Sequence, residues 1–160
     1  MTSWKDNFAS VLLSASLLTV LPVAYAATPR QSELLDAATR LGAQYDANYA
    51  IQDPNAMAAL YAPDGVLVSP AGNIIHGHDA LVEYYRNRFA NGAVKHHIEM
   101  QEVHVQGNGG YGVAHITIQS KDPSGELHTE TGNLVAVFVK SADGWHFRLI
   151  EPSIPPKSGN

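Results

Sequence analysis

Ala114-His115-Ile116-Thr117-Ile118-Gln119 alternates apolar and polar residues without a break. Successive side chains of a strand point to opposite faces. The pattern therefore predicts a strand with Ala114, Ile116 and Ile118 toward a core and His115, Thr117 and Gln119 away from it. The strand extends over Tyr111–Ser120, between the turn sequences Gln106–Gly110 and Lys121-Asp122-Pro123-Ser124-Gly125. Outward from it, Val94–Val105 reads as the preceding strand and Glu126–Lys140 as a long following one. Ser141-Ala142-Asp143-Gly144 is a tight turn, and Trp145–Glu151 a last strand. Four consecutive strands joined by short turns predict an antiparallel meander.

The chain before Val94 has a helical period instead. Thr28-Pro29-Arg30-Gln31 is a helix start, with Thr28 as cap, Pro29 in the first turn and Gln31 at the capping-box position. Leu34, Leu35, Ala38, Leu41, Tyr45, Asn48 and Tyr49 then share one face as far as about Gln52. Asp53-Pro54 restarts a short helix carrying Met57, Leu60 and Tyr61, and Ala62-Pro63-Asp64-Gly65 breaks it. Val66–Ser69 and Asn73–His76 flank Pro70-Ala71-Gly72 as a small hairpin. A third helix starts near Gly77, shows Leu81, Tyr84, Tyr85 and Phe89 on its inner face, and stops at Asn91-Gly92. This order predicts an α+β fold, a curved antiparallel sheet with three N-terminal helices on one face. Leu134–Val139 is apolar on both sides, Leu134, Ala136 and Phe138 against Val135, Val137 and Val139. A strand of that kind is covered on both sides, which predicts a homodimer through the outer sheet face.

Residues Met1–Ala26 have the three parts of a secretory signal peptide: a short polar start with Lys5, an apolar run over Phe8–Leu21, and the small-x-small site Ala24-Tyr25-Ala26. The run is shorter than the ~20 residues a bilayer span needs. Cleavage near Ala26 predicts a periplasmic or secreted protein with one domain over residues 27–152 and a disordered tail over 153–160. The formal charge of −5, without a basic cluster, argues against nucleic acid as a partner. The absence of cysteine excludes disulfides, thiol catalysis and iron–sulfur chemistry. No cofactor is expected.

Three strings in order carry a family resemblance: Ala59-Leu60-Tyr61-Ala62-Pro63-Asp64-Gly65-Val66-Leu67-Val68; Ile75-His76-Gly77-His78-Asp79-Ala80-Leu81; and Gly132–Phe138 followed by Asp143-Gly144-Trp145. They resemble the nuclear transport factor 2-like superfamily, in particular its SnoaL-like and ketosteroid-isomerase-like members. The resemblance implies a cone, a bent sheet wrapped around the first helix with a deep apolar pocket open at one end. It also implies a small apolar or amphipathic molecule as partner and, commonly, dimers. Ketosteroid isomerases use a carboxylate base with a tyrosine and a protonated Asp as oxyanion donors. The resemblance sets Tyr45 on the tyrosine, but Ser69 on the base and Ala136 near the second Asp, so two of the three roles have no group to fill them.

The same alignment turns His97, Phe147, Leu149 and Glu151 inward, and a one-residue slip would reverse them. The expected pocket is bounded by Leu41, Tyr49, Tyr61, Tyr85, Phe89, Phe147 and Leu149. Tyr45, His97 and Glu151 are the candidate catalytic set, since burial can move such groups toward neutral pKa values. Scytalone-dehydratase-like members of the superfamily use a comparable His/Tyr/Asp cluster. Two function classes remain: an exported small-molecule-binding domain, and a lyase or isomerase working by general acid–base catalysis on a small hydrophobic substrate. The eight histidines do not form a metal site by spacing. His96 and His97 point to opposite faces of a strand, and no carboxylate triad accompanies His76-Gly77-His78.

Overall fold

The structure, a computed structural model, describes residues 28–155. The expected signal peptide (1–26) and most of the expected tail (156–160) lie outside the described residues. Helix α1 spans Pro29–Ala50, α2 Pro54–Ala58 and α3 Gly77–Ala90. The strands are β1 Tyr61–Val68, β2 Ile74–His76, β3 Ala93–Gln106, β4 Gly109–Lys121, β5 Leu127–Ser141 and β6 Gly144–Ser153. They form one sheet in the order β2-β1-β6-β5-β4-β3. The fold is an α+β cone, a curved, unclosed sheet around three helices.

Local chemistry places the helix ends. Thr28 Oγ1 accepts the Gln31 N–H at 3.3 Å, and Asp53 Oδ1 accepts those of Asn55 and Ala56 at 2.9 and 3.0 Å. Such caps satisfy N–H groups that have no partner inside the helix. The Gln31 side chain does not close a capping box; it donates to the Val103 carbonyl at 3.2 Å and ties α1 to β3. On α1 the buried stripe is Leu34, Ala37, Ala38, Leu41, Gly42, Tyr45 and Tyr49, while Leu35 is 42 % exposed. Gly92 after α3 has φ +90, and a Cβ there would lie 2.1 Å from the Lys121 carbonyl oxygen. Only glycine fits a positive φ at so close an approach.

The meander β3-β4-β5-β6 is antiparallel throughout. The sheet as a whole is mixed, because β1 joins β6 in parallel, a pairing between distant segments that no turn signal announces. Ala114, Ile116 and Ile118 are buried, as are Leu134, Ala136 and Phe138, so both alternations run as expected. On the outer face Val135 is 41 % exposed and His115 pairs with Asn133 at 2.7 Å. β6 reaches Ser153, and Ile154 packs against the core, so residues 153 and 154 belong to the domain and not to the expected disordered tail. Among the described residues no helix is long and apolar enough to cross a membrane.

Four places break the alternation, one of them in β1, where the register against β6 shifts between Tyr61 and Val66. In β6 the partners change from Phe138↔Phe147 to Val137↔Leu149, which leaves Arg148 as an extra residue. In β3 the extra residues are Val94 and Gln101. Each bulge moves the side chains after it to the opposite face. Phe147 and Ile150, three apart, are therefore both buried, while Leu149 lies opposite Val137 on the outer face and Glu151 is exposed opposite Val135. Arg148, turned outward by its bulge, reaches Asp64 of β1 at 2.7 Å.

Candidate functional site

The interior of the cone is filled by aromatic side chains. Tyr45 and Tyr49 come from α1, Tyr84, Tyr85 and Phe89 from α3, Tyr61 from β1 and Phe147 from β6. Ring pairs such as Tyr49–Phe89 at 5.1 Å and Tyr61–Phe147 at 5.8 Å interlock them. The remaining cavity measures about 20 Å³, room for roughly one water molecule. Its walls include Tyr45, Tyr49, Tyr84, Tyr85, Arg88, His96 and the apolar Leu67, Ile118, Leu134 and Ile150. Of the expected lining, Leu41, Tyr61 and Phe147 are core residues behind the wall, Phe89 packs on Tyr49, and Leu149 faces outward.

Three hydroxyls inside form a chain: Tyr45–Tyr85 at 3.0 Å and Tyr85–Tyr61 at 2.7 Å. Burial pushes all three phenols well above their ordinary pKa, so they stay neutral and serve as donors, never as bases. Two hydrogen bonds among three O–H groups leave one proton over. Tyr45 is the end of the chain that borders the cavity, where that proton can meet a ligand.

The expected set Tyr45, His97 and Glu151 does not assemble. The His97 side chain is 65 % exposed and Glu151 lies on the outer face. The cause is the pair of bulges at Val94 and Arg148, each of which reverses the face of the residues after it. The histidine that enters is His96, 7 % exposed, with its ring 4.7 Å from that of Tyr45 and 5.2 Å from that of Tyr49. Its Nδ1 lies 3.0 Å from Asp46 Oδ1. A carboxylate only accepts, so Nδ1 carries the proton and Nε2 is the free acceptor. Desolvation lowers the His96 pKa below 6.5 against the pull of Asp46, which keeps the imidazole neutral and able to accept a proton near pH 7.

Asp46 also accepts from His97 Nδ1 at 3.1 Å and from the Ile98 N–H at 3.0 Å, locking α1 to the bulged start of β3. Sequence reasoning missed Asp46, His96 and Arg88 as site residues, and set Tyr84 on the inner face of α3 without counting it in the lining. Two signals were available: a carboxylate directly after the buried Tyr45 needs a partner, and adjacent histidines on a strand put one of the two inside. Ser69, at the isomerase base position, is buried with its Oγ accepting the Asn73 N–H at 3.1 Å in the hairpin turn. Ala136 is buried and offers no polar group.

Asp122, Glu126 and His128 bring donor atoms within 4.8 Å of one another. Here Asp122 Oδ1 already accepts the N–H groups of Ser124 and Glu126 at 2.8 and 3.0 Å, and Oδ2 faces His128 Nε2 at 3.1 Å. The cluster staples the β4–β5 turn, and the Ser124 hydroxyl, donating to Oδ1 at 2.6 Å, leads the bonds that hold the Asp122 carboxyl far below its ordinary pKa.

A bent sheet enclosing an aromatic interior with a His–Asp pair defines the class of the protein, a cone fold of the nuclear transport factor 2-like superfamily. Within that class the chain belongs to the SnoaL-like domain family, whose sequence model matches residues 29–151. No curated protein matches the chain. Among solved structures it is similar to a ketosteroid isomerase-like protein from Erwinia carotovora atroseptica, with 22 % identity, 78 % of this chain and 98 % of that one covered, and a TM-score of 0.68. A nuclear transport factor 2-like superfamily protein from Salmonella enterica serovar Typhimurium gives 20 %, 80 % and 95 %, and 0.68. A protein of unknown function from Mycobacterium tuberculosis gives 18 %, 78 % and 78 %, and 0.67. At these identities the likeness establishes the fold alone.

Proposed function

We propose that this chain is an exported enzyme that binds a small apolar or amphipathic molecule inside the cone and moves a proton on it, as a lyase or isomerase does. The observation that carries the reading is the pairing of buried His96 with half-buried Asp46. Asp46 fixes the tautomer, desolvation keeps the ring in its neutral, proton-accepting form, and Tyr45 supplies a neutral O–H beside it. His96 Nε2 takes a proton from carbon, and the tyrosine chain hydrogen-bonds the oxygen on which charge develops. A substrate larger than water enters only if the lining parts; Pro70 is its exposed member, and Tyr84 and Arg88 are half-buried. The small cavity favours a second reading, a non-catalytic binding module in which Asp46 only fastens α1 to β3.

Exchange of carbon-bound hydrogen in D₂O distinguishes the two. A panel of small enolisable ketones and hydroxy ketones is incubated with the protein and followed by proton NMR. Exchange that survives in H97Q and disappears in H96Q supports the enzyme. Binding without exchange leaves the binding module, and exchange unchanged in H96Q refutes the assignment of the base.

A further inference from the structure

Arg88 stands on the last turn of α3 with its side chain half-buried at the mouth of the interior. It borders two spaces at once, the inner cavity and an outer cleft of about 280 Å³ bounded by Ser69, Asn73, Asn87 and Asn91. Among the described residues no carboxylate pairs with it. Glu83, on the same helix, is engaged by Arg86 and by Asn87 Nδ2 at 3.0 Å, and Asp46 by the two histidines and Ile98. A cation in a last turn suits the helix dipole, yet that favours a side chain in water as much as one turned inward. Taking an unpaired guanidinium out of water is unfavourable unless an anion joins it.

A second group beside it lacks a partner. The Tyr49 hydroxyl is buried and makes no hydrogen bond, on a residue only 2 % exposed. Arg88 lies near enough to act on it both as a charge and as a loose donor to its oxygen, short of normal hydrogen-bond geometry, which leaves the O–H proton without an acceptor. A buried hydroxyl without a partner is uncommon and destabilising. One planar oxyanion at this mouth would satisfy both groups, a fork of N–H donors from Arg88 and an O–H from Tyr49.

We infer that Arg88 and the Tyr49 hydroxyl form a carboxylate-recognition site, so that the molecule bound in the cone is a small amphipathic acid held by its carboxylate at the mouth. The inference rests on the small-molecule reading and narrows it to a substrate class. It also orients the ligand: the charged end stays at Arg88 beside the polar cleft, and the apolar body points inward past Tyr45 toward His96.

The test uses matched pairs: benzoate, cinnamate and 1-naphthoate, each against its primary amide, with Kd measured by NMR titration. The acids are expected to bind about 10-fold or more tighter than the amides, the size of one charge-assisted contact. R88M abolishes that preference by weakening the acids alone, and R88K, which keeps the charge without the fork, retains part of it. If R88M does not fold, Y49F carries the test, weakening the acids several-fold while amides bind as before. Acids and amides of equal affinity in the wild type, or a preference that survives R88M, overturn the carboxylate site and leave the small-molecule reading standing. Binding of none of the six compounds overturns both.

Discussion

The tyrosine chain makes a quantitative prediction about which hydroxyl matters most to the fold. Tyr85 is fully buried and holds the centre, with Tyr45 on one side at 3.0 Å and Tyr61 on the other at 2.7 Å. Tyr45→Phe removes one bond and leaves the Tyr85–Tyr61 pair intact. Its expected loss is about 0.5–1.5 kcal/mol, the net worth of a hydrogen bond. Tyr85→Phe removes both bonds and strands two hydroxyls on residues 7 % and 5 % exposed. Each stranded group costs about 1–3 kcal/mol, so the central substitution should cost about 2–6 kcal/mol. Urea unfolding of both variants at one pH reads the difference directly, as a midpoint lower by about 1–2 M for Y85F at an unchanged slope. Tyr61→Phe should behave like Tyr45→Phe. If Y85F unfolds at the same urea concentration as Y45F, the three hydroxyls do not act as one chain, and the spare proton at Tyr45 loses its basis.

Four further outcomes are expected. The folded-state pKa of His96 is lowered by burial, so the unfolded chain binds its proton more tightly. Stability is therefore complete above pH 6.5 and declines as pH falls from there toward the lower folded value; H96Q should flatten that part of a Tm–pH profile, and an unflattened profile would refute the role of His96. Asp46→Asn places an amide N–H or a neutral oxygen against His96, His97 and Ile98, lowering stability by about 1–3 kcal/mol; ¹⁵N spectra should show His96 with the proton moved to Nε2, and an unchanged tautomer contradicts the pairing. The half-covered valines of β5 expect a sedimentation mass twice that of the mature chain, with V137D giving monomer because like charges meet across a two-fold axis; a wild-type monomer at micromolar concentration ends that idea. Export expects N-terminal sequencing of the periplasmic protein to begin at or beside Ala27, against a chain that keeps Met1.

By itself the sequence determined the elements and their order, but not the start of β1. Tyr61, expected on the second helix, and Ala62–Gly65, expected as a break, all belong to that strand, where its pairing with β6 overrides the local turn residues. Thr28-Pro29 and Asp53-Pro54 start helices, Asn91-Gly92 stops one, and Pro70-Ala71-Gly72 turns a hairpin, because each acts on backbone groups within a few residues. The alternation in Ala114–Gln119 and Leu134–Val139 told the faces of β4 and β5, whose pairing runs without a slip. Tertiary structure decided the face of β3 and β6. One extra residue at Val94 and one at Arg148 exchange His97 for His96 and Glu151 for Ile150, and a bulge depends on what the partner strand offers opposite it. The parallel pairing of β1 with β6 was equally out of reach, since it joins segments some eighty positions apart. The candidate site inherits both: His96 meets Asp46 across fifty positions of sequence, and Arg88 becomes a cation without a carboxylate only once every neighbouring acid has found its partner in space.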